Sequence, residues 1–420
     1  MESEGGEQEA DFTLLQNHVD ASLRVSEALE LPEAEAIYYS LLAVSSKFGF
    51  AVFATKKGFA FAFTKDIRGE LEKVGPRQCV NVAAKRDYTV DDDDVVNQIR
   101  LSANNELVFI GLNSGKILLY KAASLASGNK KPHKTFKCPN EEDFVILPNP
   151  EVFPDICAVT CADGTLHILN ASTGVFTHLN DFFGIVAMSW SRKGKQLAIG
   201  DQTGIVRQIS IEGVVKNTIA VAPSLADDVV SVQHIVWLED KTFLVIYSKE
   251  SFDTATLYVI TQTGTVKKGL QTTYTKLSDP CPTHSDDRQS GNYYSALVTG
   301  LGDTTFLIAY ANFASMDLGF LGKKENEWKN WQVGESGITL PLDNEDKDTY
   351  PVGLDIDFTR SEPVKALSPS EADLPPCPLL YVLNNDGCLL VYNIVDPLTA
   401  KRASACDAMT AAEPLIGRSR

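Results

Sequence analysis

Short apolar runs alternate with polar, glycine-closed turns along nearly the whole chain. LVFIGLNSGKILLY (Leu107 to Tyr120) is one such unit, and FAVFATKKGFAFAF (Phe50 to Phe63), ICAVTCADGTLHIL (Ile156 to Leu169) and QLAIGDQTGIVRQI (Gln196 to Ile209) have the same form. Two further copies carry longer turns, FLVIYSKESFDTATLYVI (Phe243 to Ile260) and FLIAYANFASMDLGFL (Phe306 to Leu321), and the last is LLYVLNNDGCLLVYNI (Leu379 to Ile394). The runs are 5 to 8 residues long and rich in Val, Ile, Phe and Tyr, which are strand lengths and strand residues. Helical periodicity is almost absent, so each unit predicts a β-hairpin.

Further strand-like segments flank the hairpins. NQIRLS (Asn97 to Ser102), AMSWS (Ala187 to Ser191), QHIVWL (Gln233 to Leu238), SALVTG (Ser295 to Gly300) and GLDIDF (Gly353 to Phe358) precede them, while GVFTHL (Gly174 to Leu179) and KNTIAVA (Lys216 to Ala222) follow. Four strands per repeat and seven repeats at irregular spacing predict an all-β, seven-bladed β-propeller. A two-sheet sandwich is the alternative, but it needs fewer equivalent hairpins.

The last repeat has no fourth strand, because Pro397 and an Ala-rich tail follow Ile394. DFTLLQN and ASLRVSE, between Asp11 and Glu27, are spare strand-like segments near the other end. The ring is therefore expected to close with an N-terminal strand in the last blade, which removes an exposed edge. This organises the chain as a flexible acidic N-terminus (1–10), a propeller (11–400) and a tail (401–420) that is either a short helix or disordered.

Composition changes the picture mainly through charge. Hydrophobic residues make up 44% and charged residues 22%, which is globular usage, and the formal net charge is −17. Such acidity opposes direct nucleic-acid binding, since that affinity comes largely from Lys and Arg displacing counterions, and it favours a basic protein partner. No run reaches the roughly 18 apolar residues of a membrane span, and MESEGGEQEADF lacks a signal peptide's positive charge and apolar core. The chain is expected to be soluble and unsecreted, with its 8 cysteines reduced and mostly core-filling, as at Cys157, Cys161 and Cys388.

Catalytic signatures are missing: there is no GxSxG elbow, no GxxxxGK phosphate loop, and no pair of the 6 histidines at metal-ligand spacing. No catalytic residue, cofactor or metal is expected, although a propeller enzyme whose residues meet only in the fold leaves no such motif. Trp190 and Trp237 read as core, whereas Trp328 and Trp331, flanking a charged linker, read as half-exposed.

In a blade whose strands run from inside to outside, the connections from one blade's last strand to the next blade's first all emerge on one face. The segments at that position include DYTVDDDDVV (Asp87 to Val96), APSLADDVV (Ala222 to Val230), SDPCPTHSDDRQSG (Ser278 to Gly291) and LPLDNEDKDTYP (Leu340 to Pro351). Any one of them alone is best read as a solvated loop. Together they predict an acidic rim, with Leu225, Leu340, Pro341 and Tyr350 as apolar surface among the acids, suited to a basic partner.

LLAVSSKFGFAVFAT (Leu41 to Thr55), HIVWLEDKTFLVIYS (His234 to Ser248) and LPLDNEDKDTYPVGLDIDF (Leu340 to Phe358) resemble, in matching order, the N-terminal propeller of the cytoplasmic-face nucleoporins of the mRNA-export platform. The resemblance implies a non-catalytic docking module at the cytoplasmic face of the nuclear pore. It implies as partner the first RecA-like domain of a DEAD-box RNA helicase, bound at a basic surface that overlaps the helicase's RNA site, so that docking and RNA compete and messenger particles are remodelled during export. Other nucleoporins are implied as partners if the chain is part of a longer one. The candidate contacts, placed by loop position and charge, are Leu225, Asp227, Asp228, Asp286, Asp287, Glu345, Asp346 and Asp348. The family's phenylalanine-glycine repeats and coiled-coil anchor are not in this sequence, which makes it either an excised domain or a protein without the anchoring role. The alternative is an acidic propeller scaffold for another basic partner in signalling or trafficking.

Overall fold

The computed structural model describes residues 1–16, 20–29, 31, 39–140, 143–249, 255–265, 269–279, 281, 292–313, 315–334, 337–365, 372–396, 399 and 403–415. Seven sheets of four to six strands form the blades of a propeller, and each predicted hairpin supplies the second and third strands of one blade. The innermost strands are Leu42–Ser45, Val96–Leu101, Phe144–Pro148, Ile185–Trp190, Val230–Glu239, Tyr293–Leu301 and Pro351–Asp357, and successive blades pack side by side until the seventh meets the first. At that seam Leu41 donates its backbone N–H to Val352 O at 2.9 Å.

The repeated turn has a local cause. Gly115, Gly164, Gly204 and Gly387 occupy equivalent positions with φ of 74° to 77°, a left-handed conformation that a Cβ disfavours. Each donates its N–H to the carbonyl three residues back, as from Gly164 to Cys161 O at 2.8 Å, and so closes the hairpin. Apolar residues on both faces of each blade then pack against the neighbouring blades, so the core is a series of interblade layers. One layer, with Phe243, Val245 and Ile260 against Ala198 and Val206, joins blades 4 and 5.

The ring closes with N-terminal strands in the last blade. Thr13–Leu15 pairs antiparallel with Asn393 to Val395, and Ser22–Arg24 pairs antiparallel with Cys388 and Leu389, so both spare segments are used. Leu23 is fully buried, and Arg24 forms an ion pair with Asp386 at 2.7 Å. Between its third and fourth strands, blade 1 inserts a helix (Thr64–Leu71) and a strand (Cys79–Asn81) that extends blade 7 alongside Ser22–Arg24, stitching the seam a second time.

Residues 1–10 depart from the expected flexible segment. Glu2–Glu4 and Gly6–Glu9 lie parallel to the outer strands of blades 5 and 6 as additional edge strands. Edge pairing is made by main-chain hydrogen bonds and does not require apolar side chains, which is why an acidic sequence conceals it. Trp328 and Trp331 are also corrected: both are buried, and Phe12 stacks on Trp331 with ring centroids 5.6 Å apart. The N-terminal segment covers Trp331 on the outer strand of blade 6, while Trp328 stacks on Phe306 in the layer between blades 5 and 6. In the tail, residues 403–415 form neither helix nor strand but run along the ring. Ala405, Thr410 and Glu413 donate backbone N–H groups to Pro376, Phe358 and Lys47 carbonyls at 2.8 to 3.0 Å.

Candidate functional site

Because strands alternate in direction within each blade, the outer-to-inner connections and the turns between second and third strands share one face. The loop after blade 4 shows how that face is built. Pro223–Leu225 form one 3₁₀ turn, Asp228 donates its N–H to Leu225 O at 3.1 Å, and Leu225 inserts into the core layer between blades 4 and 5. At 5% exposure Leu225 is removed from the contact set and anchors the loop from below. Asp227 and Asp228 stay on the surface, with Asp228 paired to Lys249 at 2.8 Å.

The loop after blade 6 is rigid in a different way. Asp343 Oδ1 accepts N–H groups from Glu345 at 2.8 Å and Lys347 at 2.9 Å, and Asp346 takes φ of 60°. These backbone hydrogen bonds hold the Asp343 carboxyl below its ordinary range, so it stays ionised at neutral pH. Glu345, Asp346 and Asp348 are exposed, Glu345 sharing an ion pair with Lys347 at 2.6 Å. Leu340 and Tyr350, expected as surface, are buried beneath the loop. Asp286 and Asp287 lie outside the described residues.

The loop after blade 1 adds exposed Asp91, Asp92 and Asp93, while Asp94 is buried and pairs with Lys116 at 2.9 Å. Burial works against ionisation of Asp94, but the hydrogen bond and charge of Lys116 oppose it, and its pKa is lowered.

Sequence reasoning missed the apolar residues that reach solvent on this face. Val95, Phe183, Val229 and Leu342 are 44%, 64%, 64% and 48% exposed, one in each of four outer-to-inner connections. Each stands beside exposed acid: Val95 after Asp91 to Asp93, Phe183 near Asp181, Val229 after Asp227 and Asp228, and Leu342 before the turn carrying Glu345 and Asp346. The signal was present as apolar residues bordering acids in these connections, but the buried Leu225 and Tyr350 border acids in the same way. The face combines desolvatable knobs with flanking carboxylates, the pattern of an interface centre with a charged rim.

The central channel holds a cavity of about 300 Å³ lined in part by Arg100, Trp190, Arg192, Tyr294 and Leu354. In its wall His234 Nε2 lies 2.9 Å from Ser295 Oγ, and burial together with the charge of Arg100 pushes the His234 pKa down to about 4. Among the described residues no carboxylate hydrogen bonds to this imidazole, so the orienting group of a hydrolytic dyad is missing. Asp355 is pushed up to about 6 by burial, yet its two oxygens accept N–H groups from Val44 at 2.7 Å and Ile356 at 2.8 Å, a structural commitment. Among the described residues no three His, Cys, Asp or Glu side chains are placed to hold a metal ion.

Comparison with known proteins gives a consistent result. The family model NUP159/214 beta propeller matches residues 36–389. Nuclear pore complex protein Nup214 of Homo sapiens is 25% identical over 87% of this chain and 18% of its own length. Nucleoporin nup146 of Schizosaccharomyces pombe is 26% identical over 91% of this chain and 29% of its own length. This chain thus spans under a third of these relatives. Among solved structures, the N-terminal domain of Nup159 matches with a TM-score of 0.67 at 14% identity, covering 94% of this chain and 98% of that one. A chain from the S. cerevisiae structure of Dbp5 bound to Nup159, Gle1, IP6 and ADP matches with a TM-score of 0.68, also at 14% identity, over 93% and 98%.

Proposed function

The chain belongs to the NUP159/214 β-propeller family, and from that premise we propose that it is a nuclear pore docking module for a DEAD-box RNA helicase, acting at the cytoplasmic face in mRNA export. The observation that carries the reading is that four outer-to-inner connections, which share one face, each set an exposed apolar side chain beside acid, at Val95, Phe183, Val229 and Leu342. The solved relative in which Dbp5 is bound to Nup159 supports the choice of partner.

The partner surface is basic, and docking is mainly electrostatic in approach and apolar at its centre. Carboxylates presented by the turns at Asp227 and Asp228 and at Glu345, Asp346 and Asp348 take the positions that RNA phosphates take on the helicase, so docking and RNA exclude each other. The propeller then favours the RNA-free helicase by its differential affinity alone, and needs no catalytic group of its own. Asp286 and Asp287 belong to the same proposal by chain position. As part of a longer nucleoporin, the domain would hold the helicase where messenger particles emerge.

Charge reversal tests the assignment. Asp227→Lys with Asp228→Lys is expected to weaken binding to an mRNA-export DEAD-box helicase by more than about tenfold, the scale of losing interfacial charge pairs, while the melting temperature stays unchanged. Equal affinity of the double variant and the native chain would place the interface elsewhere.

A further inference from the structure

The loop that carries Asp227 and Asp228 is held from outside its own blade pair. Ser224 donates its backbone N–H to Glu2 Oε2 at 3.1 Å and its hydroxyl to Glu2 Oε1 at 2.5 Å. Tyr258, rising from the third strand of blade 5, donates its hydroxyl to the same Oε1 at 2.9 Å. Glu2 itself belongs to the edge strand Glu2–Glu4, fixed in register against Tyr274 to Lys276. Tyr274 completes the frame by donating its hydroxyl to Ala220 O at 3.1 Å, at the start of the same loop.

We infer that Glu2 is a positioning residue for docking: the N-terminal edge strand latches the loop 223–229 in the pose that presents Asp227, Asp228 and Val229. This rests on the docking reading proposed above. The physical reason is that Pro223–Leu225 is only a single 3₁₀ turn, too short to fix its own orientation. Leu225 pins the loop in depth, and Asp228 is pinned by Lys249. Without Glu2, nothing charged fixes the first turn, and the loop must be ordered when the partner arrives, which lowers affinity. A carboxylate suits the task because it accepts several hydrogen bonds at once, and a charge-assisted bond is about twice as strong as a neutral one. The hydrogen bonds from Ser224 outweigh the opposing effect of burial, with Tyr258 adding to them, and keep the Glu2 pKa below its ordinary value, so the latch is closed at neutral pH.

The test uses the full chain with Glu2→Ala, Glu2→Gln and Ser224→Ala, read by amide hydrogen exchange at residues 224–228 and by helicase affinity. Glu2→Ala is expected to speed exchange in the loop and to weaken binding roughly five- to tenfold, the scale of one ordinary net hydrogen bond. Glu2→Gln, which keeps one acceptor oxygen but replaces the other with an NH2 group and removes the charge, is expected to recover only part of both. A melting temperature that stays within a degree or so of the native chain separates positioning from general destabilisation. Unchanged exchange in Glu2→Ala overturns the latch. Faster exchange with undiminished affinity overturns its role in docking. If the native chain does not bind the helicase at all, the docking reading fails, and the inference with it, while exchange still reports whether Glu2 orders the loop.

Discussion

Leu225 supports from below the acidic loop whose apolar surface it is predicted to supply. Leu225 and Val229 flank the same acidic pair, Asp227 and Asp228, yet one is 5% exposed and the other 64%. Depth is decided by the 3₁₀ turn, which points Leu225 between blades, and a single sequence does not encode that direction. Replacing Leu225 by Ala is expected to cost about 2 to 4 kcal/mol, as for other buried leucines, and to loosen the loop; a chemical denaturation series measures it, and a cost under about 0.5 kcal/mol would contradict the anchoring role. His234 makes a pH prediction. Its folded pKa is about 4 against an ordinary 6.5, so between those values the unfolded chain binds more protons and stability falls as pH falls. The loss reaches about 3 kcal/mol by pH 4. Asp279 and Asp355, pushed up to about 6 by burial, act in the opposite sense over an overlapping window. The informative quantity is therefore the difference between the native chain and His234→Gln, which is expected to shift toward the variant on acidification. A pH-independent difference would contradict it.

At the scale of elements, the hairpins were legible because their cause is local: short apolar runs on either side of a polar turn, closed in blades 2, 3, 4 and 7 by a glycine at positive φ. The missing fourth strand of the last blade was equally legible as an absence, and the spare segments between Asp11 and Glu27 fill it. What the pattern concealed were strands whose partners are remote. Glu2–Glu4 and Gly6–Glu9 have no apolar alternation, and only the open edges of blades 5 and 6 make them strands. Trp331 was misread for the same reason, since Phe12 covers it from the other end of the chain, while Trp328 is buried by its stack on Phe306 between blades 5 and 6. Leu23 concentrates the closure in one side chain, being fully buried beside the Arg24–Asp386 ion pair. Leu23→Asp buries an unpaired charge at the seam and is expected to cost more than about 4 kcal/mol. Limited proteolysis should then cut first between residues 1 and 40. A variant as resistant as the native chain would show that the N-terminal strands do not hold the ring.

For the whole molecule, the outer-to-inner connections share one face, and four of them set an exposed apolar side chain beside carboxylates. Sequence reasoning reached the face, because connectivity alone places every outer-to-inner loop on it, and reached the acids, because they are clustered in those loops. It did not reach the apolar residues Phe183 and Leu342, whose exposure depends on how each loop leaves its blade. The central claim is that this face docks a helicase in place of RNA. Titration calorimetry of the chain against a purified mRNA-export DEAD-box helicase, at low and moderate salt, with and without single-stranded RNA plus an ATP analogue, tests it most directly. The account predicts binding that weakens as salt rises and disappears when RNA and the analogue are bound. Binding that persists undiminished on the RNA-loaded helicase would contradict it.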